Sequence, residues 1–227
     1  MTTLVQRRIY GRRQSHRIRP ARKQLLAERL PELQLHVPAD GSTVDLDNLF
    51  NQLCSQHWLE IGFGGGEHLA EQAAANPDVG LIGCEPYVNG VAKFLSLLGD
   101  EKNVCVVIDD ARLLLKALPD RCLDRVFVLF PDPWPKLRHQ KRRIVNPNTV
   151  ADMARLLKPG GELRLASDIM DYARSMMLTT LSNGSFDWLA ERPADWRDRP
   201  DDWPATRYEE KAIEAGRRPA FLRFRRR

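Results

Sequence analysis

The sequence predicts an α/β fold, an open and largely parallel sheet with helices on both faces. Three observations carry that expectation. Strand-like apolar runs and helical runs alternate five times between residues 58 and 166, and alternation with short connections is the signature of βαβ units. A glycine loop stands directly between the first strand and its helix. Acidic residues close the first three strands, on the edge where open parallel sheets bind ligands.

The first strand covers residues 58–61 and stops abruptly in Gly62-Phe63-Gly64-Gly65-Gly66. A helix follows over 67–75, ended by Asn76-Pro77. Residues 79–84 form the next strand and 88–98 the next helix. The β-branched run 103–108 reads as a buried parallel strand and 112–118 as a short helix. Residues 123–130, the most apolar segment, form the fourth strand. A long polar loop leads to a helix over 148–157, and Lys158-Pro159-Gly160-Gly161 turns it into a strand over 162–166. Beyond this lie a helix over 172–181 and a sixth strand over 186–190. A Pro-, Asp- and Trp-rich surface loop over 191–206 then precedes a helix over 207–215 and a final strand over 219–224. Residues 1–24 lack apolar periodicity and read as a flexible basic arm, leaving 25–227 as one domain.

Composition narrows the class. A chain of 227 residues with 43% hydrophobic content can bury one sizeable core, which excludes wholesale disorder. No run of 18 apolar residues exists, so neither a membrane span nor an export signal is expected. The four cysteines, Cys54, Cys84, Cys105 and Cys122, are scattered. They read as buried thiols of a reducing cytoplasm, not as a metal site or a disulfide framework. The net charge of +5 conceals a division. Residues 1–30 carry nine Arg and Lys against one acid, and 217–227 carry six Arg and none, leaving 20 basic and 29 acidic residues between them. Basic ends on an acidic body point to a polyanion held by the termini. Tails that merely aid solubility are the plainer alternative. An Arg-rich transit peptide is a third, although Gly11 and Pro20 interrupt any long helix there.

The glycine loop reads GxGxG at Gly62, Gly64 and Gly66, where glycine admits positive φ and close approach of a ligand. A third dinucleotide-type glycine would fall at Glu67, which disfavours a nicotinamide dehydrogenase. Glu85 ends the second strand, where an acid suits ribose hydroxyls, and Asp110, preceded by Asp109, ends the third. Any one such acid would serve equally as a helix N-cap. Together with Glu60 they favour an amino-bearing, cationic nucleoside over a pyrophosphate, and S-adenosylmethionine has that character. The fourth strand ends in Phe130-Pro131-Asp132-Pro133-Trp134-Pro135-Lys136. Three prolines in five residues stiffen this loop and hold Asp132 and Trp134 at the sheet edge. There an aromatic can stack on a base and a carboxylate can accept from amino groups. The run Arg138, His139, Gln140, Lys141, Arg142 and Arg143 follows at once, suited to phosphates.

These stretches, with Leu157-Lys-Pro-Gly-Gly, Ser167-Asp168 and Thr206-Arg207-Tyr208-Glu209, resemble the motif series of the bacterial tRNA (guanine-N7-)-methyltransferase (TrmB) family. The match runs in order from about residue 56 to 226 and covers the globular part. The resemblance implies a class I, Rossmann-like S-adenosylmethionine-dependent methyltransferase sheet, mostly parallel with a final antiparallel strand. It implies methylation of N7 of the variable-loop guanosine at tRNA position 46. By the same resemblance Glu60, Glu85 and Asp110 bind cofactor, and Asp132 both contacts cofactor and is catalytic. Lys136, Asp168, Thr206, Arg207, Tyr208 and Glu209 correspond to substrate-binding positions, and residues 138–143 to the RNA-interacting run. Pro135 stands where the family often has a polar residue. Arg225-Arg226-Arg227 is an unusually charged ending. A protein or DNA amino-methyltransferase would use a similar Asp-Pro loop, but the adjoining basic run favours tRNA. A non-catalytic RNA-binding module would not need three acids around a glycine loop. Monomer and homodimer are both left open.

Overall fold

In the computed structural model, which describes residues 9–11, 13–46, 48–50 and 54–227, the chain divides between Pro119 and Asp120 into two compact units. The described N-terminal residues are not uniformly free of structure. Val88 N–H donates to Arg13 O at 2.9 Å and Asn89 Nδ2 to His16 O at 2.9 Å, while Ile18 is buried. Helix α1 (Pro20–Glu28) begins on a proline, and the one-turn helix α2 (Leu30–Leu33) follows. The expected arm of 1–24 therefore overlaps ordered structure from residue 13 onward; residues 1–8 and 12 lie outside the described residues.

The first unit holds three parallel strands in the order β3-β2-β1: β1 (Gln56–Ile61), β2 (Val79–Cys84) and β3 (Val104–Val107). Every residue of β2 and β3 is buried, as their uninterrupted apolar sequences require. Gln34 makes a parallel bridge to Val106, and Leu35 N–H donates to Val106 O at 2.9 Å, so the outer edge of β3 is covered. Helices α3 (Glu67–Ala75), α4 (Val88–Leu97) and α5 (Ala111–Ala117) complete the alternation at nearly the expected positions.

The second unit orders its strands β4-β5-β7-β6: β4 (Leu123–Leu129), β5 (Leu157–Ser167), β6 (Phe186–Trp188) and β7 (Ala220–Arg226). β4 and β5 run parallel, and β7 is antiparallel to both β5 and β6. Helix α6 (Pro147–Leu156) opens with a capping box in which Asn146 Oδ1 accepts from the Asn148 and Thr149 amides. Helix α7 (Met170–Ser182) follows β5. Residues 158–161, expected as a separate turn, lie within β5. The register steps from Leu123 opposite Leu157 to Arg125 opposite Glu162, and the extra residues form a bulge with Gly160 at φ +84°.

The segment 191–206 is more than a surface loop. It contains the one-turn helix α8 (Ala194–Arg197), and Trp203 is 1% exposed, with edge contacts to Phe127 at 6.3 Å and Phe221 at 5.5 Å. The area of that indole outweighs the polarity of the residues around it. Helix α9 (Arg207–Glu214) leads into β7. Two of the terminal arginines bond within the protein: Arg226 Nε donates to Ala154 O of α6 at 2.8 Å and Arg227 Nε to Asp187 Oδ1 of β6 at 2.8 Å. In the strand order β3-β2-β1-β4-β5-β7-β6 all seven strands are parallel except for β7, with helices around them.

Candidate active site

In the first unit β1 delivers its chain into a loop where Gly62, Gly64 and Gly66 take positive φ, at +75°, +56° and +77°. Gly66 also has no room for a side chain, since a Cβ there would stand 2.5 Å from the Phe94 ring. A Cβ at Gly62 would meet nothing within 4 Å, so the backbone there borders open space. The loop is braced from α4, where a Cβ on Gly90 would lie 2.2 Å from Gly64 O. Gly90 is thus a site residue that the motifs do not reveal; its only mark in the sequence is a glycine inside an apolar helix.

Of the three predicted acids, Glu85 is bonded to this loop and Glu60 directly precedes it, while Asp110 opens α5 after the neighbouring strand β3, and each is held. Glu85, buried, accepts from Gly64 N–H at 2.8 Å through one oxygen and from Tyr87 N–H at 2.9 Å through the other. Two carboxylate oxygens offer about four lone-pair sites, so these bonds alone do not exhaust them. Asp110 is the N-cap of α5, accepting from Arg112 N at 3.0 Å and Arg112 Nε at 2.9 Å, and Asp109 accepts from the Asp110 amide at 2.7 Å. The capping alternative for a lone acid therefore holds at Asp110.

Glu60 faces inward against α3. Its Oε2 lies 2.7 Å from His68 Nδ1, and His68 Nε2 lies 3.4 Å from Gln72 Nε2. Gln72 Oε1 accepts from Asn76 Nδ2 at 3.0 Å, which leaves the Gln72 amide group as donor to the imidazole. The chain of donors thus runs Asn76, Gln72, His68, Glu60, and sets the Nδ1–H tautomer of His68. No sequence motif singles out His68 or Gln72. Two polar residues four apart on the buried face of α3 were the available signal.

In the second unit the loop after β4 carries backbone strain. Phe130 and Trp134 adopt φ of +48° and +42°, which side chains with a Cβ rarely tolerate. Asp132 is exposed on this loop. A 3-10 turn over Leu137–Arg142 carries the basic run as far as Arg142. Lys136, Arg138 and Lys141 are exposed, His139 and Gln140 half-buried, and Arg142 lies with its guanidinium 4.8 Å over the Trp134 ring. Partial burial, with Arg142, Lys136 and Lys141 beside it, holds His139 below the ordinary imidazole range. Arg143 departs from expectation: it is 4% exposed, and its Nε donates to Pro133 O at 2.9 Å. A side chain so buried cannot reach RNA phosphates in this conformation.

The remaining predicted substrate residues divide by side-chain direction. Thr206 caps α9, its Oγ1 accepting from Glu209 N at 3.2 Å. Glu209 is buried against Arg199 Nε at 3.1 Å, and burial pushes its carboxyl above the usual range despite that cation. Both make contacts within the fold. Arg207 and Tyr208 are half-buried, with the guanidinium 4.9 Å over the phenol ring and donating to its oxygen at 3.0 Å. Asp168, just beyond β5, is paired with Arg217 Nε at 2.6 Å.

The four cysteines are free thiols. Cys84 and Cys105 are buried, Cys54 and Cys122 only half-buried, a departure from four buried thiols. Burial pushes the Cys122 thiol up to about 11 and raises the others as well. Among the described residues no cluster of three or more His, Cys, Asp or Glu could hold a metal, and no helix is long and apolar enough to cross a membrane.

A glycine cradle rimmed by strand-end acids on a seven-stranded sheet with antiparallel β7 defines an S-adenosylmethionine-dependent methyltransferase of class I. Solved methyltransferases share the fold: the 16S rRNA methyltransferase KamB has a TM-score of 0.53 at 13% identity, covering 77% of this chain and 89% of its own. An antibiotic-related methyltransferase has a TM-score of 0.52 at 19% identity, covering 83% and 98%. Residues 55–222 match the family model described as "Putative methyltransferase". The tRNA (guanine-N(7)-)-methyltransferase of Rhodospirillum rubrum is 51% identical over 224 residues, 97% of this chain and 88% of that protein. The protein of the same name from Nitrobacter hamburgensis is 48% identical over 96% of this chain and 86% of its own. The chain belongs to the tRNA (guanine-N(7)-)-methyltransferase family.

Proposed function

We propose that this protein transfers a methyl group from S-adenosylmethionine to N7 of a guanosine in tRNA, at variable-loop position 46, giving 7-methylguanosine. The observation that carries the reading is the pairing of two dissimilar pieces of equipment in one chain. One is a cradle of positive-φ glycines with the carboxylates of Glu85 and Asp110. The other is a strained loop that exposes Asp132 beside three exposed cations, Lys136, Arg138 and Lys141. The donor set fits the cofactor, because carboxylates accept from ribose hydroxyls and an adenine amino group, and Gly62 borders open space.

When bound, the cofactor supplies an activated, electrophilic methyl group. In this reading Glu60, Gly62, Gly64, Glu85, Asp110 and Asp132 hold it. Guanine N7 attacks with a ring lone pair that bears no proton, so no general base is needed first. Asp132 orients the base and offsets the positive charge that grows on the ring during attack. In-line placement of N7 supplies much of the acceleration. Lys136, Arg138, Lys141 and Arg142 hold phosphates, and Asp168, Arg207 and Tyr208 contact the nucleoside region. The product needs no further proton transfer. The cytoplasm, where the substrate RNA resides, is the proposed location.

The deciding experiment incubates the protein with labelled S-adenosylmethionine and unmodified tRNA, followed by nucleoside analysis. Label in 7-methylguanosine, lost when the variable-loop guanosine is replaced, supports the reading. Label in protein or in another nucleoside overturns it.

A further inference from the structure

We propose that Arg143 is a positioning residue for methyl transfer, holding the Asp132 loop through the Pro133 carbonyl, and not a contact for RNA. The inference rests on the role proposed above for Asp132. Within the basic run Arg143 is the buried member, with every expected phosphate-binding neighbour either exposed or half-buried. Its guanidinium is committed on three sides. Nε donates to Pro133 O at 2.9 Å, Nη2 donates to Asp171 Oδ2 at 2.6 Å, and the plane lies 4.5 Å over the Tyr172 ring.

The loop needs such an external brace. Pro131, Pro133 and Pro135 have no N–H, so alternate residues cannot tie the loop to itself by main-chain donation. Phe130 and Trp134 sit at positive φ on either side of Asp132. Sparsely populated conformations of that kind persist only where their surroundings over-determine them. Pro133 O belongs to the peptide unit that joins Pro133 to Trp134, one residue beyond Asp132. Fixing it therefore restrains Asp132, which the proposed chemistry uses, and Trp134 on the other side of it. Arg142 over the Trp134 ring completes the clamp from the adjacent position. A planar fork with a stacking face suits this task and an ammonium does not, so lysine is no conservative replacement.

The test uses the full chain with Arg143→Lys, Asp171→Asn and Asp132→Asn, each assayed for steady-state kinetics on unmodified tRNA and for melting temperature. Arg143→Lys is expected to lower kcat about 100-fold, the cost of a slightly misplaced reacting group. The KM for tRNA and the salt dependence of tRNA binding stay at wild-type values. Asp171→Asn, which removes only the charge of the exposed anchor, is expected to lower kcat about tenfold at unchanged KM. Should Arg143→Lys fail to fold, Asp171→Asn decides alone, and wild-type kcat in it overturns the proposal. A raised KM with a flattened salt dependence and intact kcat in Arg143→Lys also overturns it, making Arg143 a phosphate contact. Inactive Asp132→Asn beside fully active Arg143→Lys removes this proposal only. Active Asp132→Asn removes the reading beneath it as well.

Discussion

His68 Nδ1 lies 2.7 Å from Glu60 Oε2, and the two side chains are 1% and 4% exposed. A carboxylate at the mouth of the glycine loop is thereby oriented from behind by an imidazole, itself oriented by Gln72. Replacing His68 by leucine leaves a buried acceptor without this donor, which costs about 1–3 kcal/mol. The variant is expected to melt lower and to bind S-adenosylmethionine more weakly, measured by calorimetric titration, whereas His68→Asn retains part of both. Wild-type affinity in His68→Leu would show that Glu60 needs no such orientation.

Gly90 sets how closely α4 approaches the loop. Alanine there would place a Cβ 2.2 Å from Gly64 O, a backbone atom that cannot swing away. Gly90→Ala is expected to destabilise by about 1–3 kcal/mol through overpacking. By pushing the loop, it also weakens binding of S-adenosylmethionine. Circular dichroism melts and the same titration check both effects.

Asp132→Asn keeps the shape of the side chain and removes its charge. If the carboxylate offsets positive charge on the methylated ring, kcat falls about 100- to 1,000-fold, the range seen for removing one preorganised electrostatic group. The melting temperature is expected to be unchanged, because Asp132 is exposed. Single-turnover rates with saturating substrates separate this from a binding defect.

Arg138 and Lys141 are the exposed cations of the basic run, and Lys136 just before it is exposed as well. Changing all three to alanine is expected to weaken tRNA binding. The slope of log K against log salt falls by about 1 for each phosphate that is no longer neutralised. Filter binding across a salt series measures that slope. Affinity for S-adenosylmethionine stays unchanged.

A separate charge cluster governs acid stability. Arg164, 1% exposed, donates to Glu162 at 2.9 Å and to Asp202 at 2.8 Å. Burial pushes both carboxyls up, but Arg164, with Arg125 and Arg223, outweighs it and holds them below their ordinary values. A depressed folded value means stability that is present above the unfolded carboxylate range, about pH 4, and lost as pH falls through the folded values. The wild-type melting temperature is therefore expected to drop below about pH 4. Arg164→Met is expected to melt lower at neutral pH and to show a shallower acid drop, followed by melts from neutral to acid pH.

The fold class was legible in the sequence because its signals are local. Periodicity switches between strand and helix, glycines stand where the chain must take positive φ, and acids close the strands. The motif order was enough to mark the family. Side-chain direction was not legible to the same degree. Arg138 and Arg143 share one basic run, yet one faces solvent and the other supports Pro133. Thr206 and Glu209 turn inward while their neighbours Arg207 and Tyr208 stay partly exposed. The partners that settle these directions, Asp171 for Arg143 and Arg199 for Glu209, lie 28 and 10 residues away.

Trp203 makes the same point for the loop 191–206. Its polar surroundings mark a surface segment, but the indole is buried against Phe127 and Phe221. The terminal arginines, expected to reach for a polyanion, include Arg226, which bonds to the α6 backbone at Ala154, and Arg227, which bonds to Asp187 of β6. The sequence by itself determined which elements form and which residue types gather at the strand ends, since both follow from local spacing. Only the tertiary structure decided which charges are neutralised inside the protein and which remain available to a ligand. A charge is taken out of use when a distant partner and burial meet at the same place, and no local pattern records that meeting.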